Sequence, residues 1–178
     1  MAESVEELLD KFAKASKDAD ADAYFSCFLD DTCRFLGTDA KENWTVKEFK
    51  DFAIPYFQSA REKGKAAWTY TLIRGTRKID YYCGDDKETA YFDELLASES
   101  FLCTSRGNGV AVKRDGMWYL LQYHLSFPIP NPLAKSFCEI IHKFEREEAT
   151  NDEETEKLLL EMLMRRAHDR KKAAATGK

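Results

Sequence analysis

The chain has 178 residues, a length typical of one globular domain with a short appendage. Hydrophobic residues make up 44% of the sequence and aromatic residues 13%, enough to build a core rich in bulky rings. The formal net charge of −5 argues against a nucleic-acid-binding protein, which usually presents a basic face. No run approaches the roughly 20 consecutive apolar residues of a membrane span, and the acidic, amphipathic N-terminus is unlike a signal peptide. We therefore expect a cytoplasmic protein without nucleic-acid or membrane partners.

The sequence lacks the usual signs of a metal or cofactor. Its five cysteines are scattered and form no C-x-x-C pair, as expected of small buried thiols in a reducing compartment. The three histidines lie in separate regions, without the spacing of zinc ligands. No phosphate-binding loop, dinucleotide fingerprint or nucleophile elbow occurs. We expect no cofactor and no metal.

Two helices are predicted near the N-terminus. Ser4 and Glu7 form a capping box that starts the first helix, and apolar residues at helical spacing continue it to about Ser16. Either Asp20 or Asp22 then caps a second helix rich in aromatic residues.

A short strand over residues 33–36 precedes a third helix. The helix opens with a second capping box, formed by Thr45 and Glu48. Pro55 is expected to kink or break it near Ile54, because proline has no N–H group to donate.

From Lys65 the apolar period changes from 3.6 to 2, which is typical of strands. The first strand includes residues 68–72, and four more are predicted at residues 79–83, 89–96, 103–114 and 118–127. The dipeptide Asp115-Gly116 is a strong signal for a two-residue hairpin turn. Three helices followed by a five-stranded meander predict an α+β domain, with the helices on one side of an antiparallel sheet.

Residues 134–178 differ in character and are assigned to a helical extension of a domain that covers residues 1–133. The segment 151–172 starts acidic and ends basic, which matches the helix macrodipole. A solvated helix explains its basic end most simply, although a contact with nucleic acid, calmodulin or a membrane surface stays open. Its apolar stripe needs a partner surface, on its own domain or on another subunit. The final residues are expected to fray.

Short motifs in a fixed order resemble the SnoaL-like branch of the nuclear-transport-factor-2-like superfamily. They are Gly37-Thr38-Asp39 followed by Glu42 and Trp44, then Tyr91-Phe92-Asp93-Glu94, Arg106-Gly107-Asn108-Gly109-Val110, Asp115-Gly116-Met117-Trp118 and Gln122-Tyr123-His124-Leu125-Ser126. Their order and spacing carry the likeness, which covers roughly residues 4–133. The closing stretch is also similar to the association domain of calcium/calmodulin-dependent kinase.

The resemblance implies a cone-shaped domain, in which three N-terminal helices pack on a strongly curved antiparallel sheet around a pocket. Members often dimerise through the outer face of the sheet. Enzymes of the family use the pocket for acid–base isomerisation, dehydration, cyclisation or epoxide opening, whereas many other members are binding or assembly modules. Membership therefore leaves the function open.

The last hairpin decides which residues face the pocket. With Asp115-Gly116 as its loop, Gly109 pairs with Gln122 and Gly107 pairs with His124. The two glycines leave space beside these polar side chains, as a small-molecule pocket requires. In the alternative, the glycines mark a bulge or bend and His124 is a satisfied core histidine; a bulge would exchange the two faces. Both faces are substantially apolar, so we expect a homodimer through the face that the helices leave uncovered.

Asp93 and Glu94 are two carboxylates inside a predicted strand that ends in leucines. A hairpin centred near residues 99–100 places Glu94 opposite Arg106, and a cross-strand ion pair is the simpler interpretation. In the alternative, one carboxylate faces the pocket, where burial raises its pKa. It would then move a proton within an enolisable substrate.

These considerations select the candidate site residues. The candidate ligand-binding residues are Glu42, Trp44, Phe57, Phe92, Arg106, Trp118, Gln122 and His124. Phe28 and Phe35 are expected to complete the aromatic wall of the pocket. If the protein is an enzyme, the candidate catalytic residues are His124 with Asp93 or Glu94.

The leading hypothesis is a dimeric domain that binds a small molecule. One alternative is an acid–base isomerase, dehydratase or cyclase. Another is an assembly adaptor that recruits a protein partner through its C-terminal helix.

Overall fold

The computed structural model describes residues 2–82, 88–98, 100–101, 103–145 and 157, with only the backbone at 144 and 145. The chain divides into two units, Met1–Pro128 and Ile129–Lys178. Over the described residues, the first unit contains the helices α1 (Val5–Lys17), α2 (Ala21–Phe25) and α3 (Val46–Glu62) and one sheet. The second contains α4 (Asn131–Glu145).

The sheet has seven strands among the described residues. They are β1 (Arg34–Leu36), β2 (Asn43–Thr45), β3 (Tyr70–Leu72), β4 (Lys78–Tyr81), β5 (Thr89–Ser98), β6 (Thr104–Arg114) and β7 (Met117–Ser126). Neighbours follow the order β2-β1-β7-β6-β5-β3, and β4 also pairs with β5. The α+β class is confirmed, but the sheet is mixed because β1 and β7 run parallel. Strand β2, which has three residues, was not predicted because it is too short to show a period.

The predicted helix starts are confirmed by their hydrogen bonds. The Ser4 side chain accepts from the backbone N–H of Glu7 at 3.1 Å and starts α1. Only this half of the predicted capping box forms, because the Glu7 carboxylate accepts from the backbone N–H of Glu3 and not from that of Ser4. Asp20 caps α2. Thr45 and Glu48 form both halves of the capping box that starts α3. Each cap satisfies backbone N–H groups that have no partner within the helix.

Helix α3 runs from Val46 to Glu62 as one element, although Pro55 lies inside it. Of the predicted kink or break near Ile54, the break therefore does not occur. The buried residues of α3 are Val46, Phe49, Ala53 and Phe57, which recur at helical spacing. The burial of this apolar stripe outweighs the one hydrogen bond that proline cannot make.

The turn between β6 and β7 has the predicted form. Asp115 and Gly116 have φ angles of 51° and 78°, the left-handed conformation that a type I′ turn needs at both central residues. Arg114 pairs with Met117 across the turn, so the hairpin starts in the predicted register.

A β-bulge then changes the register within the same hairpin. Ala111 pairs with Leu120, but the preceding residue, Val110, pairs with Gln122. Leu121 is therefore an extra residue in β7. The predicted pairing of Gln122 with Gly109 is wrong for this reason.

Beyond the bulge, Gly109 pairs with Tyr123 and Gly107 pairs with Leu125. The predicted pairing of Gly107 with His124 is also wrong. Because side chains alternate along a strand, a shift of one residue exchanges the two faces. Tyr123 and Leu125 are buried, whereas His124 is half-buried on the other face of the sheet.

Strand β5 is also one residue out of the predicted register with β6. Glu94 lies opposite Gly107, and Leu95 lies opposite Arg106. The predicted position of Glu94 opposite Arg106 is wrong, because Ala97 pairs with Thr104, which moves the pairing one residue further along β6 than expected. The side chain of Arg106 instead forms an ion pair with Asp93, with 3.1 Å between Nε and Oδ1.

Aromatic rings from the helices and the sheet form much of the core. Phe35 on β1 stacks on Phe49 of α3, with 3.8 Å between the ring centroids. Phe57, also on α3, packs edge-on against Trp68 at 4.9 Å. Aromatic pairs of this kind contribute about 0.5–1.5 kcal/mol each beyond the area that they bury. Ring contacts therefore join α3 to β1 and to the segment that precedes β3.

In the second unit, α4 overlaps the start of the helical extension predicted over residues 134–178. The second predicted helix, over residues 151–172, lies outside the described residues except for Lys157, which is exposed. No helix in the described part of the chain combines the length and apolar character needed to cross a membrane.

Candidate ligand cavity

A cavity of about 230 Å³ lies in the first unit, lined from the helices and the inner face of the sheet. Its wall is dominated by aromatic side chains from seven helices and strands and from the segments that connect them. Among the described residues, the rings that line it are Phe12, Tyr24, Phe35, Trp44, Phe49, Phe52, Trp68, Tyr70, Phe101 and Tyr123. Such an apolar wall with a few polar groups is typical of small-molecule sites.

Glu94 is the most deeply buried charged group at this wall, with 6% of its side chain exposed. Its Oε2 accepts a hydrogen bond from Nε of Arg77 at 2.7 Å. Nη1 of Arg77 donates to Oδ1 of Asp10 on α1, also at 2.7 Å. Burial raises the pKa of Glu94, and the positive charge of Arg77 partly opposes that rise. The ion pair thus joins the cavity wall to α1 and holds the carboxyl in place.

Tyr123 lies directly over Gly107. A β-carbon at position 107 would collide with the Tyr123 hydroxyl and would lie 3.3 Å from Cδ1 of Leu96. Since Gly107 is opposite Glu94, the missing side chain leaves room for the phenol on the same face as the carboxyl. Burial raises the pKa of Tyr123, and the negative charge of Glu94 raises it further. The hydroxyl therefore stays protonated and can donate a hydrogen bond.

Two further phenols line the cavity. Burial raises the pKa of Tyr24 well above its ordinary value, and the neighbouring Tyr123 adds to the rise. Burial also raises the pKa of Tyr70, with smaller contributions from Cys103 and Glu42. Together with Tyr123, these side chains offer hydroxyl donors to a bound molecule.

Glu42 and Trp44 lie at the cavity, on and after the loop that connects β1 to β2. Glu42 folds over Gly37, where a β-carbon would collide with its carboxylate. Its Oε2 accepts from the backbone N–H of Asp39 at 3.2 Å. Trp44 stacks on the half-exposed Phe52 at 5.0 Å, which places this ring pair towards the open side of the cavity.

Several residues selected from the sequence lie in the core and do not line the cavity. Phe57 and Phe92 are buried among other rings. Trp118 is buried against Tyr81, with 5.7 Å between the ring centroids. Phe28 is buried beside Leu120, with which it forms an isolated bridge. Of the expected aromatic wall, only Phe35 and Trp44 are present.

The remaining candidates lie on the outer face of the sheet or at the bulge. Asp93 and Arg106 form their ion pair there, and both are about half-exposed. Gln122 and His124 are half-buried, and neither lines the cavity. Of the three candidate catalytic residues, Glu94 alone reaches the cavity, and His124 and Asp93 are separated from it by the sheet. Within the described residues no group of His, Cys, Asp and Glu side chains is arranged to hold a metal ion.

Tyr123 is the cavity residue that the sequence analysis missed most directly. It lies between Gln122 and His124 in the motif that drew attention to this strand. The alternative of a bulge in the hairpin would have selected it, because a bulge exchanges the two faces.

Comparison with solved structures identifies the fold as nuclear-transport-factor-2-like. A nuclear-transport-factor-2-like protein of unknown function from Pseudomonas putida aligns with a TM-score of 0.52 and 14% identity, over 71% of this chain and 86% of that chain. A protein with a cystatin-like fold from Nostoc punctiforme aligns with a TM-score of 0.51 and 16% identity, over 72% and 92%. A Thiobacillus denitrificans protein, provisionally assigned as a calcium/calmodulin-dependent protein kinase type II association domain, has a TM-score of 0.50 and 15% identity, over 71% and 96%. At these identities the likeness is one of fold.

The family follows from the sequence itself. The model of the SnoaL-like domain matches residues 5–130. The chain therefore belongs to the SnoaL-like domain family, and the resemblance carried by the motifs is confirmed. Comparison with curated proteins gives no match.

The contact between Tyr123 and Gly107 can be tested by a double-mutant cycle. Gly107→Ala is expected to lower the free energy of unfolding by about 1–3 kcal/mol, because the added methyl group displaces the phenol. In a Tyr123→Phe background the same change should cost less, since the colliding hydroxyl is gone. Urea unfolding of the four proteins measures both costs. Equal costs in the two backgrounds would contradict this contact.

The pKa of Glu94 is expected to lie above the ordinary glutamate value in a carbon-detected NMR titration of its carboxyl. Arg77→Gln should raise this pKa further, because it removes the charge that opposes the effect of burial. Arg106→Gln is the matched control, since it removes the same charge from the outer face of the sheet. An ordinary pKa, or the same response to both substitutions, would refute this account of Glu94.

The raised pKa of Glu94 also determines how the stability of the fold changes with pH. The folded chain holds the Glu94 proton more tightly than the unfolded chain, so protonation favours folding. This contribution to stability is present below the unfolded pKa and is lost as the pH rises through the folded pKa. Glu94→Gln should remove that part of the pH dependence.

Proposed function

We propose that this protein binds a small ring-containing molecule in the cavity of its first unit. The observation that carries the proposal is the aromatic wall, whose rings are held by stacking on one another. Phe49 stacks on Phe35 at 3.8 Å and on Trp44 at 5.5 Å, and Trp44 stacks on Phe52 at 5.0 Å. A flat apolar molecule can lie against such a wall and lose its contact with water. Because the rings are already held in place, binding costs little side-chain conformational entropy.

The polar groups support a ligand with a defined orientation. The hydroxyls of Tyr24, Tyr70 and Tyr123 are donors, whereas the carboxylates of Glu42 and Glu94 are acceptors when ionised. A ligand that presents one polar group towards Glu94 and Tyr123 would satisfy these buried groups. A purely hydrocarbon ligand would offer no hydrogen bond to the Tyr123 hydroxyl, and none to Glu94 beyond the one that it accepts from Arg77, which is less favourable.

Blocking the cavity tests this proposal. In a thermal-shift screen of soluble single-ring and two-ring compounds, we expect some members to stabilise the wild-type chain. Ala13→Trp places a bulky ring at the cavity wall from α1 and should abolish that stabilisation. Lys17→Trp, on an exposed part of the same helix that does not line the cavity, is the matched control.

The proposal fails if no compound in a broad library stabilises the wild-type chain. It also fails if the stabilisation survives Ala13→Trp undiminished. Loss of stabilisation in both tryptophan variants would point to a site elsewhere on α1.

Acid–base catalysis is the second candidate function, and the buried Glu94 favours it. A carboxyl with a raised pKa beside a phenol donor is suited to take a proton from carbon, while the Tyr123 hydroxyl donates to the carbonyl oxygen that gains charge. This assignment keeps Glu94 from the predicted set, which was His124 with Asp93 or Glu94, and puts Tyr123 in the place of His124. Turnover of a bound compound that is lost in Glu94→Gln, with binding retained, would distinguish catalysis from binding alone.

We further propose that the chain forms a homodimer through the outer face of β5, β6 and β7. Tyr91 is 54% exposed on this face and lies opposite Val110, which is half-buried. Tyr119 and Leu121 on β7 are half-buried as well. A second copy would remove this apolar surface from water through a self-complementary interface.

The dimer can be tested by light scattering at several protein concentrations. Tyr91→Lys should convert a particle of twice the chain mass into a monomer, because it places a charge within the proposed interface. Tyr56→Lys is the matched control, since Tyr56 lies on α3 and is similarly exposed, at 55%. A wild-type monomer, or a dimer that survives Tyr91→Lys, would contradict the proposal.

A cytoplasmic location is the last part of the proposal. Four cysteines among the described residues are free, of which Cys27 and Cys33 are buried and Cys103 and Cys138 are exposed. Exposed free thiols are usual in a reducing compartment and unusual in secreted proteins.

A further inference from the structure

We infer that the ligand of this cavity is an organic ammonium ion, held against aromatic rings and by the carboxylate of Glu42. The inference rests on the proposed function, namely that the cavity binds a small molecule. It concerns the charge of that molecule, which the aromatic wall by itself does not decide.

The charged side chains among the described residues that line the cavity are all acidic. Among the described residues that line it, Glu42 and Glu94 carry the carboxylates, and there is no Lys, Arg or His side chain. Glu94 already has a cation, since Arg77 lies 2.7 Å from it, but Arg77 is shared with Asp10 at the same distance. One positive charge therefore faces two negative ones in that network.

Glu42 is the carboxylate that is left for a ligand. It forms no ion pair with any residue in the described part of the chain. Its Oε2 accepts from the backbone N–H of Asp39 at 3.2 Å, a bond that orients the carboxylate over Gly37. Its Oε1 accepts no hydrogen bond from the described residues, so one carboxylate oxygen is available at the cavity.

The rings near Glu42 suit a cation as well. Trp44 lines the cavity two residues further along the chain, and Tyr70 lies close enough for the charge of Glu42 to affect its hydroxyl. The faces of tryptophan and tyrosine attract ammonium groups, most strongly where water is excluded. An anionic ligand would meet the carboxylate of Glu42 with no cationic side chain among the described lining residues, and a neutral ligand would leave Glu42 without an ion pair.

Three single-ring probes of similar size separate these cases. They are phenethylamine, which is a cation at neutral pH, 2-phenylethanol, which is neutral, and phenylacetate, which is an anion. In calorimetric titrations of the full chain at low ionic strength, we expect the amine to bind most tightly and phenylacetate most weakly. Added salt should weaken the binding of the amine and leave that of the alcohol nearly unchanged.

Glu42→Gln removes the charge and retains the size of the side chain and an acceptor for Asp39. It should weaken the binding of phenethylamine by about tenfold and change that of 2-phenylethanol by less than about twofold. Asp39→Asn is the matched control, because it removes the same charge from an exposed residue of the same loop that does not line the cavity. It should leave both affinities nearly unchanged.

The outcomes distinguish this inference from the proposed function. Equal affinities for the amine and the alcohol, or a preference for the amine that survives Glu42→Gln, would overturn the ammonium assignment while the cavity remains a binding site. Tighter binding of phenylacetate would overturn it as well. If none of the three probes binds, the result counts against both the proposed function and the ammonium ligand.

Discussion

The extra residue in β7 is the constraint on which the interior of this domain depends. Side chains alternate between the faces of a strand, yet Leu120 and Tyr123 are three residues apart and both are buried. Only an inserted residue, Leu121, allows both to face the helices. The bulge leaves one residue without a regular partner. The burial of Tyr123 and Leu125 offsets that loss, because the apolar area removed from water stabilises the fold.

The position of Tyr123 then depends on what lies opposite it in the sheet. Gly107 provides the space for the phenol, and the strand pairing places Glu94 beside that space. Arg77 connects Glu94 to Asp10, so the polar end of the cavity is tied to α1. A buried ion pair contributes little net stability once its desolvation is counted. Its main consequence here is geometric, since it holds one carboxyl at a cavity that is otherwise built from rings.

The cavity combines two properties that act on a ligand in different ways. Its aromatic rings favour any flat apolar molecule, and this attraction has little directional preference. Its carboxylates and phenols select the orientation and charge of that molecule, most strongly at the buried end beside Glu94, where the effective dielectric constant is lower than in water. Binding and acid–base catalysis use the same wall and differ in the role of Glu94. The two functions are therefore separated by the behaviour of one side chain, not by the fold.

Local chemistry alone determined much of this structure. The caps at Ser4 and Thr45, the turn at Asp115-Gly116 and the change of period near Lys65 were all predictable, because each depends on neighbouring residues. Glu42 and Trp44 were also among the ligand-binding residues selected from the sequence, and both line the cavity. Tertiary structure decided the pairing of strands, and with it which of Tyr123 and His124 faces the helices. When a strand is apolar on both faces, its sequence does not specify which face turns towards the helices. A single inserted residue therefore exchanges the residues predicted to face them. The same limit hid the ion pair of Glu94 with Arg77, whose partners lie on different strands and connections and meet only when the sheet is assembled.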